Sequence, residues 1–559
     1  VPDRLVTRLA SAALRLPPTR PGPVRVTRDL PVRARDGVVL RTDHYAPGHH
    51  GAPTVLIRTP YGRGGPLRLL GRLLAARGRH AVIQSCRGTG GSGGTFAPLV
   101  HERDDGADTL DWLRRQPWWS GHLGMFGVSY QGFAQWALAA DAGEELRAMV
   151  AVVTASATRD STYAGESFAL DTVLTWAELL HAQTVPWLAR QWELKRGQPR
   201  LAAALAHLPL ADADRVATGV RIPFFQEWLR HHTPQAAYWR TRVFADQVAK
   251  VRAPVVMVTG WQDIFLPAQL DDHAVLRAGG TPSRLVIGPW THGSPGLFVA
   301  ALREGLAWLD EHLPQTPRPG GRARPEVAPV RLYVSGAGGG WRDLPDWPPP
   351  AVETAWHLQP DGELAARPPV ASTPDRFRYD PADPTPSLGG PLLVAQRAGP
   401  VDNRPVEARP DVLTYTSAPL TDPVEVIGPV RAEIHVRSDL PYLDVFVRLC
   451  DVDRKGRSWN VCDGLVRVTP GRFPADSAGA LRVPVPLWPT AYRFAAGHRL
   501  RVQVSGGAHP RWARNPGTGE SLGTAVTLRA GWRQILHDPD HPSAVLLPIV
   551  HSAPPQPPI

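Results

Sequence analysis

The segment GMFGVSYQGFAQWALAA contains a serine boxed by glycines, Gly127-Val128-Ser129-Tyr130-Gln131-Gly132. A serine hydroxyl becomes a useful nucleophile when a neighbouring base takes its proton, and a sharp turn from strand to helix exposes it for attack. LGMFGV before it reads as a strand, and Gln131 to Ala140 after it reads as a helix. Gly127 removes a side chain where such a turn is tight, and a left-handed backbone at Ser129 would aim its hydroxyl out of the sheet. The helix N-terminus would then lie under a developing oxyanion, with the Tyr130 N–H as a donor. The usual G-x-S-x-G spacing is not met, because Gln131 stands at the second Gly and Gly132 follows one place later. Alone, the box does not separate a nucleophile from a serine in an ordinary loop.

Its partners are found further along. The strand-like run APVVMVTG leads into Trp261-Gln262-Asp263, and SRLVIGP leads into Trp290-Thr291-His292-Gly293. Asp263 and His292 are therefore expected at the carboxyl ends of neighbouring strands, where parallel sheets gather catalytic groups. Either residue alone reads as a loop cap or a solvated turn. Together, in the order Ser, Asp, His, they form the set that acyl transfer needs: a base, and a carboxylate to fix its tautomer. RTPYGRGG supplies a second oxyanion donor in the phenol of Tyr61, just after the strand-like PTVLIRT.

These residues need a scaffold, and the sequence describes one. LPVRARDGVVLRTDHYAP alternates around Asp36-Gly37 as a hairpin. Short apolar runs then alternate with helical patterns such as DDGADTLDWLRRQ, which implies an α/β fold with a doubly wound, mostly parallel sheet over residues 25–153. The rhythm breaks over 154–250, which is helical in pattern and reads as an inserted cap, and strands resume over 251–315. TPRPGGRARPEVAP is a connector. Beyond it, over 325–559, short strands such as VRLYVSG and LDVFVRLCDV indicate an all-β jelly-roll sandwich.

Bulk properties exclude several functions. The net charge of +11 comes from scattered Arg, with Lys only at Lys195, Lys250 and Lys455, so no nucleic-acid groove is expected. No apolar run is long enough for a membrane span. At the N-terminus, Arg4, Arg8 and Arg15 interrupt Leu5, Leu9 and Leu16, so a short helix packed on the body is expected rather than a targeting signal. Cys86, Cys450 and Cys462 form neither a disulfide framework nor a metal spacing, in keeping with a cytoplasmic protein. His537-Asp538-Pro539-Asp540-His541 has metal-binding residue types, but its prolines deny a shared helical face and a turn is expected. No metal or organic cofactor is anticipated. The expected partner is a small-molecule ester, with a homodimer left open.

GMFGVSYQG, RTPYGRGG, GWQD and GPWTHG together resemble the cocaine-esterase-like branch of the X-prolyl dipeptidyl peptidase group of α/β hydrolases, from about Arg28 to Pro548. GPVRAEIHVRSDLPYLDVFVRLCDVDRKGRSWNVCDG and RNPGTGE match that family's β domain. The resemblance implies Ser129, Asp263 and His292 as a triad, an oxyanion hole from Tyr61 and Tyr130, and an elbow of the form G-x-S-Y-x-G. Members that recognise an α-ammonium carry acids just after the catalytic Asp. Here Ile264-Phe265-Leu266 follow, which favours esters with aromatic or apolar acyl groups and makes Phe265 a candidate pocket wall. Trp176 and Tyr163 resemble aromatic pocket positions, with packing in the cap core as the alternative. Glu166 and Asp171 keep aminoacyl esters and X-Pro peptides open as substrates, and a non-catalytic binding protein is a further alternative. Cys86, in Ser85-Cys86-Arg87-Gly88, stands where the family has an acid. That puts a local salt bridge in doubt, and a buried structural thiol is expected there.

Overall fold

Six apolar runs covered on both faces organise the first half of the chain. The computed structural model describes residues 2–16, 19, 22–48, 51–184, 199–233, 236–313 and 327–550. Its first sheet contains β1 (Arg25–Arg33), β2 (Val39–Ala46), β3 (Thr54–Thr59), β4 (His80–Ser85), β5 (Leu123–Val128), β6 (Leu146–Val152), β7 (Val255–Gln262), β8 (Ser283–Thr291), β9 (Val330–Gly336) and β10 (Gly340–Leu344). The spatial order is β1-β2-β4-β3-β5-β6-β7-β8-β9-β10. It is parallel from β4 to β9 and antiparallel at both edges. TVLIRT, HAVIQS and VVMVTGWQ are buried at every position, as central parallel strands require.

Helices cover both faces. Gly65–Ala75 and Pro295–His312 pack Leu70, Leu74, Leu297, Leu306 and Leu309 on one side. Glu102–Arg114, Tyr130–Ala139 and Leu266–Ala278 pack Leu110, Leu113, Trp136, Leu266 and Leu270 on the other. This is the α/β-hydrolase arrangement. The N-terminal helix Pro2–Ala13 lies on the body, where Arg77 donates to Ser11 Oγ (3.2 Å) and Arg303 to the Leu14 carbonyl (2.9 Å).

Between β6 and β7 the chain leaves the sheet for a helical cap that includes Thr158–Thr162, Leu170–Thr184, Ala213–Thr218 and Pro223–Arg230. Its core is aromatic, built on Phe168, Phe225, Trp228 and Trp239.

The second half is a β sandwich. One layer runs through Val412–Ser417, Arg499–Ser505, Leu443–Val452 and Ser458–Val468. The other runs through Asp375–Tyr379, Gly531–Asp538, Arg431–Ser438 and Leu481–Pro486. Valines and leucines from both layers meet in one core. One strand, β9, departs from the sequence reading. Its VRLYVSG was expected among jelly-roll strands, yet it pairs parallel with β8 through Leu285↔Val330 and Ile287↔Leu332. Its far end pairs with Thr490–Phe494 of the sandwich. The cause is visible in the burial: Val330, Leu332 and Val334 alternate inward as in a sandwich strand, but the core they enter is that of the first domain.

The sandwich also buries charge. Arg448 holds Asp463 at 3.0 and 2.8 Å, and Arg511 pairs with its other oxygen. Burial raises the Asp463 carboxyl, but the two guanidinium groups outweigh it and hold it below its ordinary range. Asp463→Ala would leave two buried cations without their shared anion, so we expect a loss of about 3–5 kcal/mol. Urea denaturation at neutral pH, compared with wild type, measures it.

Candidate active site

Ser129 terminates β5 with φ 57° and ψ −124°, a left-handed conformation that non-glycine residues rarely take. Neighbouring elements hold it there. Its N–H donates to the Val152 carbonyl at 2.9 Å, and Gly132 and Phe133 donate back to its own carbonyl. The two flanking glycines are required by close approach rather than by conformation. A Cβ at Gly127 would lie 2.4 Å from the Gln131 carbonyl carbon, and one at Gly132 would lie 2.3 Å from Thr154 Cγ2. The turn leads directly into helix Tyr130–Ala139. The Tyr130 N–H, at its first position, has no acceptor within the helix and is available to an oxyanion.

His292 and Asp263 converge on this serine from the ends of β8 and β7. His292 Nε2 is 3.1 Å from Ser129 Oγ, and His292 Nδ1 is 2.8 Å from Asp263 Oδ2. Asp263 is fully buried. Its other oxygen accepts the Phe265 N–H at 2.8 Å, which leaves Oδ2 directed at the imidazole. Nδ1–H facing a carboxylate leaves Nε2 as the basic nitrogen beside the hydroxyl.

Tyr61 follows β3, and it lines the same cavity walls as Ser129. The Trp176 indole N–H donates to the Tyr61 hydroxyl oxygen at 3.1 Å, so the phenolic proton is directed away from Trp176. Burial pushes the Tyr61 phenol up to about 12, which keeps it protonated as a donor at any working pH. The unusual Gln131 has a role here. Its Oε1 accepts the Val128 N–H (3.3 Å) and its Nε2 donates to Thr59 Oγ1 (3.2 Å), an oxygen that also accepts the Tyr61 N–H (3.1 Å). The departure from G-x-S-x-G thus ties the serine turn to the Tyr61 turn.

Other supporting residues were not read from the sequence. The Tyr130 hydroxyl donates to Glu102 Oε1 (2.8 Å) and accepts the Leu99 N–H (2.9 Å). Glu102 in turn pairs with the buried Arg58 at 3.0 Å. Cys86 supplies no carboxylate for a bridge of its own; beside it Arg87 pairs instead with Asp105 (2.6 Å) and Asp36 (2.6 Å). Cys86 is a buried thiol, pushed well up by burial and by Glu102, with its Sγ 3.6 Å from that carboxylate. From the sandwich, Trp488 donates its indole N–H to the Asp263 carbonyl at 3.0 Å. Arg511 stacks over Trp488 at 4.7 Å. No local pattern marks Trp488, since its partner is 225 residues away.

Two chambers meet at Ser129. The smaller, about 70 Å³, is lined by Tyr130, Phe133, Trp228, Ile264 and Phe265 among others. The larger, about 850 Å³, is lined by His292 and runs along Leu67, Leu70 and Leu73 toward Phe298 and Leu302. Tyr61, Trp176 and Leu393 border both. Leu393 belongs to a sandwich loop that also supplies Val394, Ala395 and Gln396. Phe265 sets its ring 5.7 Å from that of His292. Tyr163 is different and corrects the sequence expectation. It is buried in the cap, its hydroxyl donates to the Trp228 carbonyl (2.6 Å), its ring packs on Phe168 and Trp239, and it borders neither chamber. Helix Thr158–Thr162 ends just before it and turns the ring into the cap core. The two acids weighed for ammonium recognition are also elsewhere. Glu166 pairs with Arg159 (2.8 Å) and Asp171 with Arg397 (2.8 Å). The His537–His541 stretch is a turn in which His541 bridges Asp538 (3.0 Å) and Asp476 (2.8 Å). Among the described residues no helix is long and apolar enough to cross a membrane.

Comparison with known proteins agrees with this architecture. Residues 36–294 match the family described as X-Pro dipeptidyl-peptidase (S15 family), and residues 326–546 match the X-Pro dipeptidyl-peptidase C-terminal non-catalytic domain. Cocaine esterase from Rhodococcus sp. (strain MB1 Bresler) is 32% identical over 95% of this chain and 99% of its own. Among solved structures, an α-amino acid ester hydrolase superposes with TM-score 0.79 at 22% identity, covering 96% of this chain and 98% of that one. An aminopeptidase from a marine-sediment Thaumarchaeota archaeon gives TM-score 0.77 at 22% identity, with the same coverage. These two likenesses establish the fold.

The crowding at the elbow yields a prediction. Gly127→Ala forces a methyl into the Gln131 carbonyl, and relief by backbone shift should cost about 1–3 kcal/mol. The same shift moves Ser129 away from His292. We expect a lowered denaturation midpoint together with slowed labelling of Ser129 by a fluorophosphonate probe.

Proposed function

Since the chain belongs to the X-Pro dipeptidyl-peptidase S15 family of serine hydrolases, we propose that it is a carboxylesterase working through an acyl-enzyme on Ser129. The observation that carries this reading is the continuous chain Ser129–His292–Asp263, at 3.1 and 2.8 Å, on a serine held at positive φ. Ser129 Oγ attacks the ester carbonyl while His292 Nε2 takes its proton. His292 then returns that proton to the departing alkoxide, and Asp263 steadies the imidazolium through both transfers. The Tyr61 hydroxyl and the Tyr130 N–H receive the tetrahedral oxyanion. Water, activated by the same His292, releases the acid.

The substrates proposed are esters with aromatic or apolar acyl groups. Phe265, Phe133 and Trp228 around the small chamber support this. So does the cocaine esterase relative, which is named for an ester substrate. An α-amino acyl ester or X-Pro peptide would need a carboxylate for its ammonium, because a desolvated cation must be paired. No acid is among the described residues lining the small chamber, and Asp171 and Glu166 already hold arginines.

Hydrolysis of p-nitrophenyl butyrate near neutral pH by wild type beside Ser129→Ala tests the nucleophile. The expected result is activity in the first and none above background in the second. Full activity in Ser129→Ala would name the wrong serine. Tyr61→Phe removes one oxyanion donor and should lower kcat by about 10²–10³-fold, with KM nearly unchanged.

A further inference from the structure

The two chambers at Ser129 differ in size, and they differ in which catalytic group they contain. Once Oγ has bonded to an ester carbonyl, the oxyanion faces Tyr61 and Tyr130. The acyl chain and the alkoxy group must then leave the carbon in two other directions. The alkoxy oxygen has to lie within reach of the protonated Nε2 of His292, because that group supplies its proton. His292 and Gly293 line the large groove and are absent from the wall of the small chamber. The alcohol side of the ester therefore belongs in the large groove, and the acyl side belongs beside Phe265 in the small one.

The groove has the chemistry of a hydrocarbon site. One wall is the helix Gly65–Ala75, whose sequence GPLRLLGRLLA turns Leu67, Leu70 and Leu73 toward it. The facing wall is the start of Pro295–His312, with Phe298 and Leu302, and Phe126 of β5 lies at its base. Phe298 is 41% exposed and adds little to the core. As the outer lip of an apolar channel it has a use that packing alone does not give it. Polar residues also border the groove: Thr175, Glu178 and His181 on the cap helix Leu170–Thr184, Thr218 at the end of Ala213–Thr218, Gln131 at the serine turn and Gln396 of the sandwich loop.

We propose that this groove is the alcohol-side binding site, and that the preferred substrates are esters of a compact acyl group with a long apolar alcohol. The inference rests on the serine-esterase reading above and adds the substrate class. In the first step an Oγ–acyl bond forms and the acyl–alkoxy bond breaks, and the serine proton passes through His292 to the alkoxide. The free long-chain alcohol leaves along the groove. Water then cleaves the acyl-enzyme to a short carboxylic acid and regenerates Ser129.

Initial rates in a pH-stat for alkyl acetates from ethyl to dodecyl, and for ethyl esters from acetate to dodecanoate, test it beside p-nitrophenyl butyrate. The expected result is that kcat/KM rises about threefold per methylene along the alcohol series, reaching roughly several hundredfold between ethyl and octyl acetate. The acyl series should stay flat or fall. Leu67→Trp and, independently on the facing wall, Leu302→Trp should each compress the octyl-to-ethyl ratio at least about tenfold by filling the groove. Two variants on separate elements guard against one that fails to fold. A rate that climbs with acyl length and ignores alcohol length, with p-nitrophenyl butyrate still cleaved, overturns the assignment and leaves the esterase reading intact. A chain-length ratio that survives both tryptophans overturns it equally. Inactivity on every ester, p-nitrophenyl butyrate included, overturns both readings together.

Discussion

The left-handed turn at Ser129 is the constraint around which the catalytic half of this molecule is arranged. A side chain at positive φ persists only where its surroundings leave no easier alternative. Here they are a parallel sheet buried on both faces, a carbonyl from β6 that takes the Ser129 N–H, and two glycines that allow backbone to approach where a methyl could not. Gln131 extends the same restraint sideways. By joining Val128 to Thr59, and so to the Tyr61 turn, it couples the orientation of Ser129 to that of the neighbouring phenol. A glycine at that place, as in the more usual spacing, would lack those two hydrogen bonds.

The β sandwich is part of the same arrangement rather than an appendage. Trp488 satisfies the backbone carbonyl of Asp263, and its indole is held beneath Arg511. Arg511 is fixed by Asp463, and Asp463 by Arg448. A run of buried contacts thus leads from the sandwich interior to the carboxylate that orients His292. The loop carrying Leu393 and Gln396 reaches over from the same domain to border the chambers. The matching family description calls this domain non-catalytic. Here its contribution is positional, acting on the reacting groups through packing and hydrogen bonds.

Much of this was legible in the sequence because reacting groups at strand ends come in short local motifs. Gly127 to Gly132, Trp261-Gln262-Asp263 and Thr291-His292-Gly293 each announce a turn after an apolar run, and their order supplies the rest. What stayed hidden depends on contacts between distant residues. Glu102 is an ordinary acid in a helical first turn until Tyr130 and Arg58 are folded against it. Trp176 and Tyr163 are aromatic residues of the same cap, and only the fold turns one toward the serine and the other into the cap core. β9 misled for a related reason. Its alternation describes a strand with one covered face, and an edge of the first sheet and a strand of the second present that face alike.

The sharing of β9 has a mechanical consequence. The strand is hydrogen-bonded to β8 on one side and to Thr490–Phe494 near its end, and Arg342 on β10 grips Glu425 of the sandwich with two bonds of 2.6 and 2.5 Å. Opening the two domains like a book would shear both ladders and break the Arg342–Glu425 pair in one stroke. The spine of this enzyme is therefore clamped.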